Sequence, residues 1–322
     1  MHCWYEITMV RLKQSLLFSL ACLLVGCFSE PEGPVKIGTN KWPGYEPLYL
    51  ARHHGHYEGE RIWLVELASA SEVIHEFRNG NLDGAALTLD EALVLLEDGL
   101  EISIVLVMDF SAGGDVLLAQ PEFASVDQLK GKKIAVETTA VGAIMLDGAL
   151  ESAGLLPEDI TIIGCSVDEH VRIFDRVDAV VTFEPAKTAL EKLGAVILFD
   201  SSEIPRRIVD VLVVRRAVMQ ERPIQVRALL AGYFQARKTL EENPEGAAKI
   251  MAGRLTVTPG ELLASYGGLH LPGVEENRKL LTDPDGLDQA AKDLADLMHR
   301  KGLLRKPIQI DRLASPEFLP TE

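Results

Sequence analysis

The chain has 322 residues, 47% hydrophobic and 25% charged, with a formal charge of −16. That composition belongs to a globular protein long enough for two lobes rather than one core. The acidity excludes a nucleic-acid partner, whose phosphates need a basic surface, and weighs against an anionic ligand unless a local site overrides it.

In chain order the first feature is an export signal. Arg11 and Lys13 precede an almost entirely apolar stretch over 16–25, which ends in Leu24-Val25-Gly26-Cys27. A basic patch, an apolar core of roughly 7–15 residues and a small residue before the cut make a secretory signal. The small residue before a cysteine resembles a bacterial lipobox. On that reading 1–26 is removed, Cys27 is lipidated as the first mature residue, and 27–34 is a tether. The protein then sits in the periplasm or at the cell surface, lipid-anchored to a membrane. A plain signal peptide or an uncleaved anchor is the alternative, although the segment falls short of the ~20 apolar residues of a spanning helix. Met9 is an alternative start, and Ser29, where an aspartate would retain a lipoprotein at the inner membrane, suggests the outer one. Cys3 and Cys22 leave with the signal, so Cys165 is the one free thiol and no internal disulfide forms. It follows the apolar run 160–163 and reads as a strand-end packing residue rather than a nucleophile.

From 35 onward short apolar runs alternate with helical patterns. Strands are predicted over 35–39, 62–67, 83–87 and 102–108, with helices over 46–57, 71–79 and 88–98. Thr88 stands as N-cap of the last helix with Glu91 three residues on, a capping-box pattern, and Gly99 closes it. A second unit has strands over 116–119, 133–137, 160–163, 178–182 and 196–200, and helices over 126–129, 142–153 and 185–193. A strand over 208–214 returns to the first unit, and helices over 223–242, 244–253, 259–266, 274–282 and 287–301 follow. Such alternation predicts parallel sheets with helices on both faces. Lobe 1 is expected over 35–110 and 205–322, and lobe 2 over 111–204. A ligand would sit between them at the carboxyl ends of strands.

Several segments now carry a family resemblance. Val35-Lys36-Ile37-Gly38 is followed by Trp42-Pro43-Gly44-Tyr45-Glu46-Pro47-Leu48, then Asn81-Leu82-Asp83-Gly84-Ala85 and Thr88-Leu89-Asp90-Glu91-Ala92. Ser125-Val126-Asp127-Gln128-Leu129-Lys130-Gly131-Lys132-Lys133-Ile134-Ala135-Val136, Ala153-Gly154-Leu155, Val177-Asp178-Ala179-Val180 and Glu184-Pro185 come next. In this order they resemble the substrate-binding proteins of ABC importers, in the nitrate, sulfonate and taurine branch that also holds thiamine-precursor binders. Asp175-Arg176 departs from the pattern, standing where the family usually has a glycine. The resemblance implies an α/β, two-lobed periplasmic binding protein of type II-like architecture, with a ligand cleft between the lobes. It implies a monomeric, non-enzymatic receptor without cofactor or metal, which captures a small-molecule ligand, closes by hinge motion and delivers it to ABC permease subunits.

Trp42 and Tyr45, on the loop after the first strand, suit an aromatic wall for a planar or cationic ligand, or else cap the lobe's own core. Thr88 and Asp90 sit at a helix start, where free N–H groups suit an anion or carbonyl; simple capping is the other reading. Asp109 and Asp115 flank a glycine-containing stretch read as the hinge. Their carboxylates suit an ammonium, amidinium or guanidinium group, or cap turns. Thr138 and Thr139 precede a helix whose N-terminus often holds a ligand's polar end in the family, and Glu184 matches a family site position. This set is acidic and aromatic with no arginine, and Lys41 is the one base in the first loop. It favours a cationic or neutral nitrogen-containing solute over nitrate- or sulfonate-like oxyanions, which want positive charge or many donors. His53, His54 and His56 read as a solvated helix end, since their spacing places only two on one face. A ligand sensor coupled to a signalling partner and an oxyanion binder remain as alternatives. So does an enzyme of the pyrimidine-precursor synthase type, although this chain lacks that enzyme's cysteine-rich run.

Overall fold

The computed structural model describes residues 33–137 and 140–321; the expected signal, Cys27, Thr138 and Thr139 lie outside the described residues. The chain builds β1 (Val35–Thr39), β2 (Ile62–Glu66), β3 (Gly84–Thr88) and β4 (Ile102–Ser111), then β5 (Val116–Ala119), β6 (Lys133–Val136), β7 (Thr161–Gly164), β8 (Ala179–Thr182) and β9 (Val196–Asp200). It ends with β10 (Val209–Arg215) and β11 (Leu269–His270). The first sheet runs β11-β4-β10-β3-β1-β2 and the second β7-β6-β8-β5-β9.

The expectation of parallel sheets is corrected. β1 pairs parallel with β2 and β3, and β6 with β7 and β8, but β10 lies antiparallel between β3 and β4, and β5 antiparallel between β8 and β9. The two crossings between sheets explain the mixture. A strand that carries the chain out of a sheet points toward the gap, and one that carries it in points away. β4 and β9 lead out, whereas β5 and β10 lead in. The carboxyl ends of β1, β3, β4, β6 and β8 therefore meet the amino ends of β5 and β10 at one gap.

The hinge assignment is also corrected. β4 runs through Ser111, because β11 pairs Leu269 with Ser111 and His270 with Phe110. Asp109 is thus a sheet residue, and 112–115 alone links the sheets on that side, with Gly113 in the left-handed region (φ 112°). The two crossings are tied together: Gly113 N–H donates to Ser201 Oγ at 2.7 Å, and the Ser111 and Ser201 hydroxyls lie 2.8 Å apart.

The predicted helix 46–57 stops at His53 and turns at Gly55, whose φ is 75°. His53 and His54 are exposed; their rings meet edge to face, and the His56 ring lies tilted against that of His54. Helix Glu46–His53 is pinned by Arg254, which pairs with fully buried Glu46 and reaches Glu66 at 2.7 Å. Tyr233, on helix Pro223–Glu242, is also buried and donates to the Met108 carbonyl at 3.1 Å. Asn277 caps the middle of β4 on both sides, accepting from Val107 N–H at 2.7 Å and donating to its carbonyl at 3.0 Å. Across the gap Lys192 meets Glu261 at 2.6 Å and Lys301 meets Asp147 at 2.8 Å; both pairs are half-exposed, so each adds little to stability. Among the described residues no helix is long and apolar enough to cross a membrane.

Candidate functional site

At the gap, β10 sets Asp210 directly opposite Thr88 of β3 on one side and Asp109 of β4 on the other. Residues opposed across strands share a face, and like charges so placed repel. Both aspartates are buried, at 0% and 3% exposure. The loop after β1 covers this row: Trp42 Nε1 donates to Asp109 Oδ2 at 3.0 Å, and the Tyr45 hydroxyl donates to Asp210 Oδ1. A glycine is required between them, because a Cβ on Gly44 would lie 1.7 Å from Asp109 Oδ2 and 2.7 Å from Trp42 Nε1. Gly44→Ala is expected to displace one of those side chains, costing about 1–3 kcal/mol as an overpacked site does. Thermal melting would show it, and unchanged melting would mean that the loop moves freely.

The void bounded by this row and the second sheet measures about 310 Å³. Trp42, Tyr45, Thr88, Glu91 and Asp210 line it from the first sheet's side, and Asp115, Val141 and Phe183 from the second. Trp42 and Phe183 meet edge to face across it, ring centres 5.5 Å apart. Asn40, just beyond β1, completes the rim.

The capping box at Thr88 is half made. Thr88 N–H donates to Glu91 Oε2 at 3.0 Å, but among the described residues Thr88 Oγ1 and Glu91 Oε1 have no hydrogen-bond partner. Neither oxygen of Asp90 has one, nor do Asp109 Oδ1 and Asp115 Oδ2. Burial pushes the carboxyls of Asp90, Glu91, Asp109 and Asp210 upward, and a neighbouring carboxylate adds to it in each case: Asp115 beside Asp90 and Asp109, Asp90 beside Glu91, and Asp109 beside Asp210. Burial likewise pushes Asp115 up to about 6, against the pull of its Ser111 hydrogen bond and the Lys187 charge. Desolvation and like charge both disfavour ionisation, so these groups gain when a cation arrives.

A second void of about 240 Å³ adjoins the first, with Asp115, Val141 and Phe183 common to both. Its other walls include Glu137, Met145, His170 and Thr182. Glu137 Oε1 accepts from the Ser71 hydroxyl at 2.9 Å, a bond between the two sheets' helices and loops, while Oε2 has no partner among the described residues. His170 Nδ1 lies 2.9 Å from Thr182 Oγ1, and Nε2 has no partner among the described residues. Burial lowers His170 to about 4, so the imidazole is neutral at pH 7.

Of the residues singled out from sequence, Trp42, Tyr45, Thr88 and Asp115 meet on the wall of the first void, with Asp109 behind Trp42. Asp90 is fully buried and feels the Asp115 charge. Glu184 is not on either wall; it accepts the Thr188 N–H at 3.2 Å. Lys41 is half-exposed, 4.0 Å from Glu66, and also off the wall. The base near the cluster is instead Lys187, whose ammonium donates to the Gly113 carbonyl at 3.1 Å. Sequence reasoning missed Asn40, Glu91, Glu137, His170, Phe183 and Asp210. Asp210 had a signal, a lone charge inside the apolar run 208–214, whereas Glu91 was absorbed by its capping role. Among the described residues no arginine or lysine lines either void, and no three His, Cys, Asp or Glu side chains are placed to hold a metal ion.

A family model described as the NMT1-like family matches residues 29–256. The taurine-binding periplasmic protein of Escherichia coli (strain K12) is 24% identical over 182 residues, covering 55% of this chain and 57% of that protein. The chain thus spans under two thirds of that relative's length. Among solved structures, the alkanesulfonate-binding protein SsuA from Xanthomonas axonopodis pv. citri, bound to MOPS, superposes with a TM-score of 0.73 at 20% identity, over 88% of this chain and 97% of that one. The desulfurization enzyme DSZB superposes with a TM-score of 0.63 at 18% identity, over 88% and 97% of the two chains. One fold therefore carries both binding proteins and an enzyme, and the site has to decide between them.

Proposed function

The chain belongs to the NMT1-like family, and from that premise we propose that it is the extracytoplasmic substrate-binding protein of an ABC importer, capturing a cationic, nitrogen-containing solute between its two sheets. The names of the taurine- and alkanesulfonate-binding relatives support the receptor role. Cys165 supports a non-enzymatic reading: it is half-buried and burial pushes its thiol upward, away from the thiolate a nucleophile needs. The same proposal includes removal of 1–26, lipidation at Cys27, lobes over 35–110 with 205–322 and over 111–204, and delivery by a monomer to permease subunits.

The charge of the solute rests on one observation. The wall between the sheets holds buried carboxyl oxygens without partners and no arginine or lysine among the described residues. An ammonium, amidinium or guanidinium supplies the missing donors, and its charge favours the ionised carboxylates. The Trp42 and Phe183 rings bound the same void, where an aromatic wall favours a cation. A sulfonate would meet acceptors where it needs donors.

The relatives' ligands favour a second reading, a sulfonate. Taurine carries an ammonium as well as a sulfonate, so its two halves separate the readings. The full chain, purified in mild detergent, is melted with ethylamine, guanidine, ethanesulfonate and taurine in turn, after native mass spectrometry for any co-purified solute. Stabilisation by the amines is the expected result. Stabilisation by ethanesulfonate alone would overturn the cationic reading and leave the receptor role standing.

A further inference from the structure

We infer that the solute carries two cationic groups and spans both voids, one group between Glu91 and Asp210 and the other between Asp115, Glu137 and His170. This rests on the proposed reading of the gap as a cation site.

The two voids share Asp115, Val141 and Phe183, so they adjoin at a boundary of one carboxyl and two apolar side chains, with further polar groups on either side. Each end presents buried polar atoms without partners among the described residues. At the first these are Thr88 Oγ1 and Glu91 Oε1; at the second, Glu137 Oε2 and His170 Nε2. His170 is 1% exposed and lines the second void. His170 Nδ1 lies 2.9 Å from the Thr182 hydroxyl, and the imidazole shares the wall of the second void with the Glu137 carboxyl. Glu137 Oε2 and Asp115 Oδ2, two buried carboxyl oxygens without partners among the described residues, share that void and call for a donor. A single ammonium reaches one end and leaves the other acids desolvated and uncompensated, whereas a slender α,ω-diamine supplies donors and charge to both. Its methylene spacer would lie against Val141 and Phe183, which both voids share.

Isothermal titration of the full chain compares 1,3-diaminopropane, 1,4-diaminobutane and 1,5-diaminopentane with n-butylamine. One diamine is expected to bind at least tenfold tighter than n-butylamine. That advantage is expected to collapse in Glu137→Gln and to shrink in His170→Gln. The wild-type series decides the matter even if a variant fails to fold. Equal affinity for n-butylamine and every diamine would overturn the two-charge inference and leave the cation site intact. Failure of every amine to bind would overturn both.

Discussion

Asp210→Asn is expected to melt higher than the wild type without ligand, yet to bind its cation roughly 30-fold more weakly or worse, as when one partner of a buried charged pair is removed. The two effects have one cause. Asp210 faces Asp109 directly across the sheet, and both are sealed from water. The pair is costly for folding and useful only when a cation stands beside it. An amide keeps an oxygen to accept the Tyr45 hydroxyl and offers Asp109 an N–H in place of a second carboxyl. The repulsion disappears, and the attraction for an ammonium goes with it. Such opposed changes in stability and affinity mark a group kept for binding rather than for packing. Scanning calorimetry and titration on the same preparation test it. A variant that melts lower and binds equally well would show that Asp210 serves the fold alone.

The ligand-free protein is expected to lose stability as pH rises from about 6.5 to about 8.5, while its affinity for the cation grows. Buried Glu91, Asp90, Asp109 and Asp210 are raised by desolvation. A group with a raised folded-state pKa holds a proton that the unfolded chain has already released. Its contribution is complete below the unfolded value near 4 and is lost as pH climbs through the folded value. His170 acts the other way: lowered to about 4, it adds stability that is fully present above about 6.5 and is lost below. The window from 6.5 to 8.5 lies above its range, so the carboxyls act there alone. A tenfold difference in proton affinity between folded and unfolded chain is worth about 1.4 kcal/mol per group, and about 1 kcal/mol moves the melting point of a large domain by about 2–4 °C. A fall of several degrees is therefore expected. A saturating cation should flatten it by holding the carboxylates ionised, with protons released on binding. A melting point that stays level or rises across the window would show that these carboxyls are not raised in the folded protein.

Much of the secondary structure was legible because its causes are local. The apolar runs at 35–39 and 116–119 form strands with those same ends. The Pro223–Glu242 helix also matches, set by a proline at its first turn and a polar residue after its last. The loop aromatics Trp42 and Tyr45 were legible as site candidates, since a Pro-Gly turn after a strand exposes side chains at the strand's carboxyl end. Their partners were not. Asp109 and Asp210 are about a hundred residues apart, and only the antiparallel insertion of β10 makes them neighbours. Nothing in the local pattern of 208–214 says which strands will flank it or which way it will run.

The amino-acid order by itself determined the alternation of short strands and helices, the aromatic loop and an excess of acid, since hydrophobic period, turn residues and composition act within a few positions of the chain. The tertiary structure alone decided that the sheets are mixed, that 109–111 is strand rather than hinge, and that acids from β10, the helix after β3 and the link between β4 and β5 face a common void. Those outcomes depend on strand pairing, which sums weak interactions over the whole molecule. Burial then turned ordinary surface acids into desolvated ones, and charge state follows environment more than residue type.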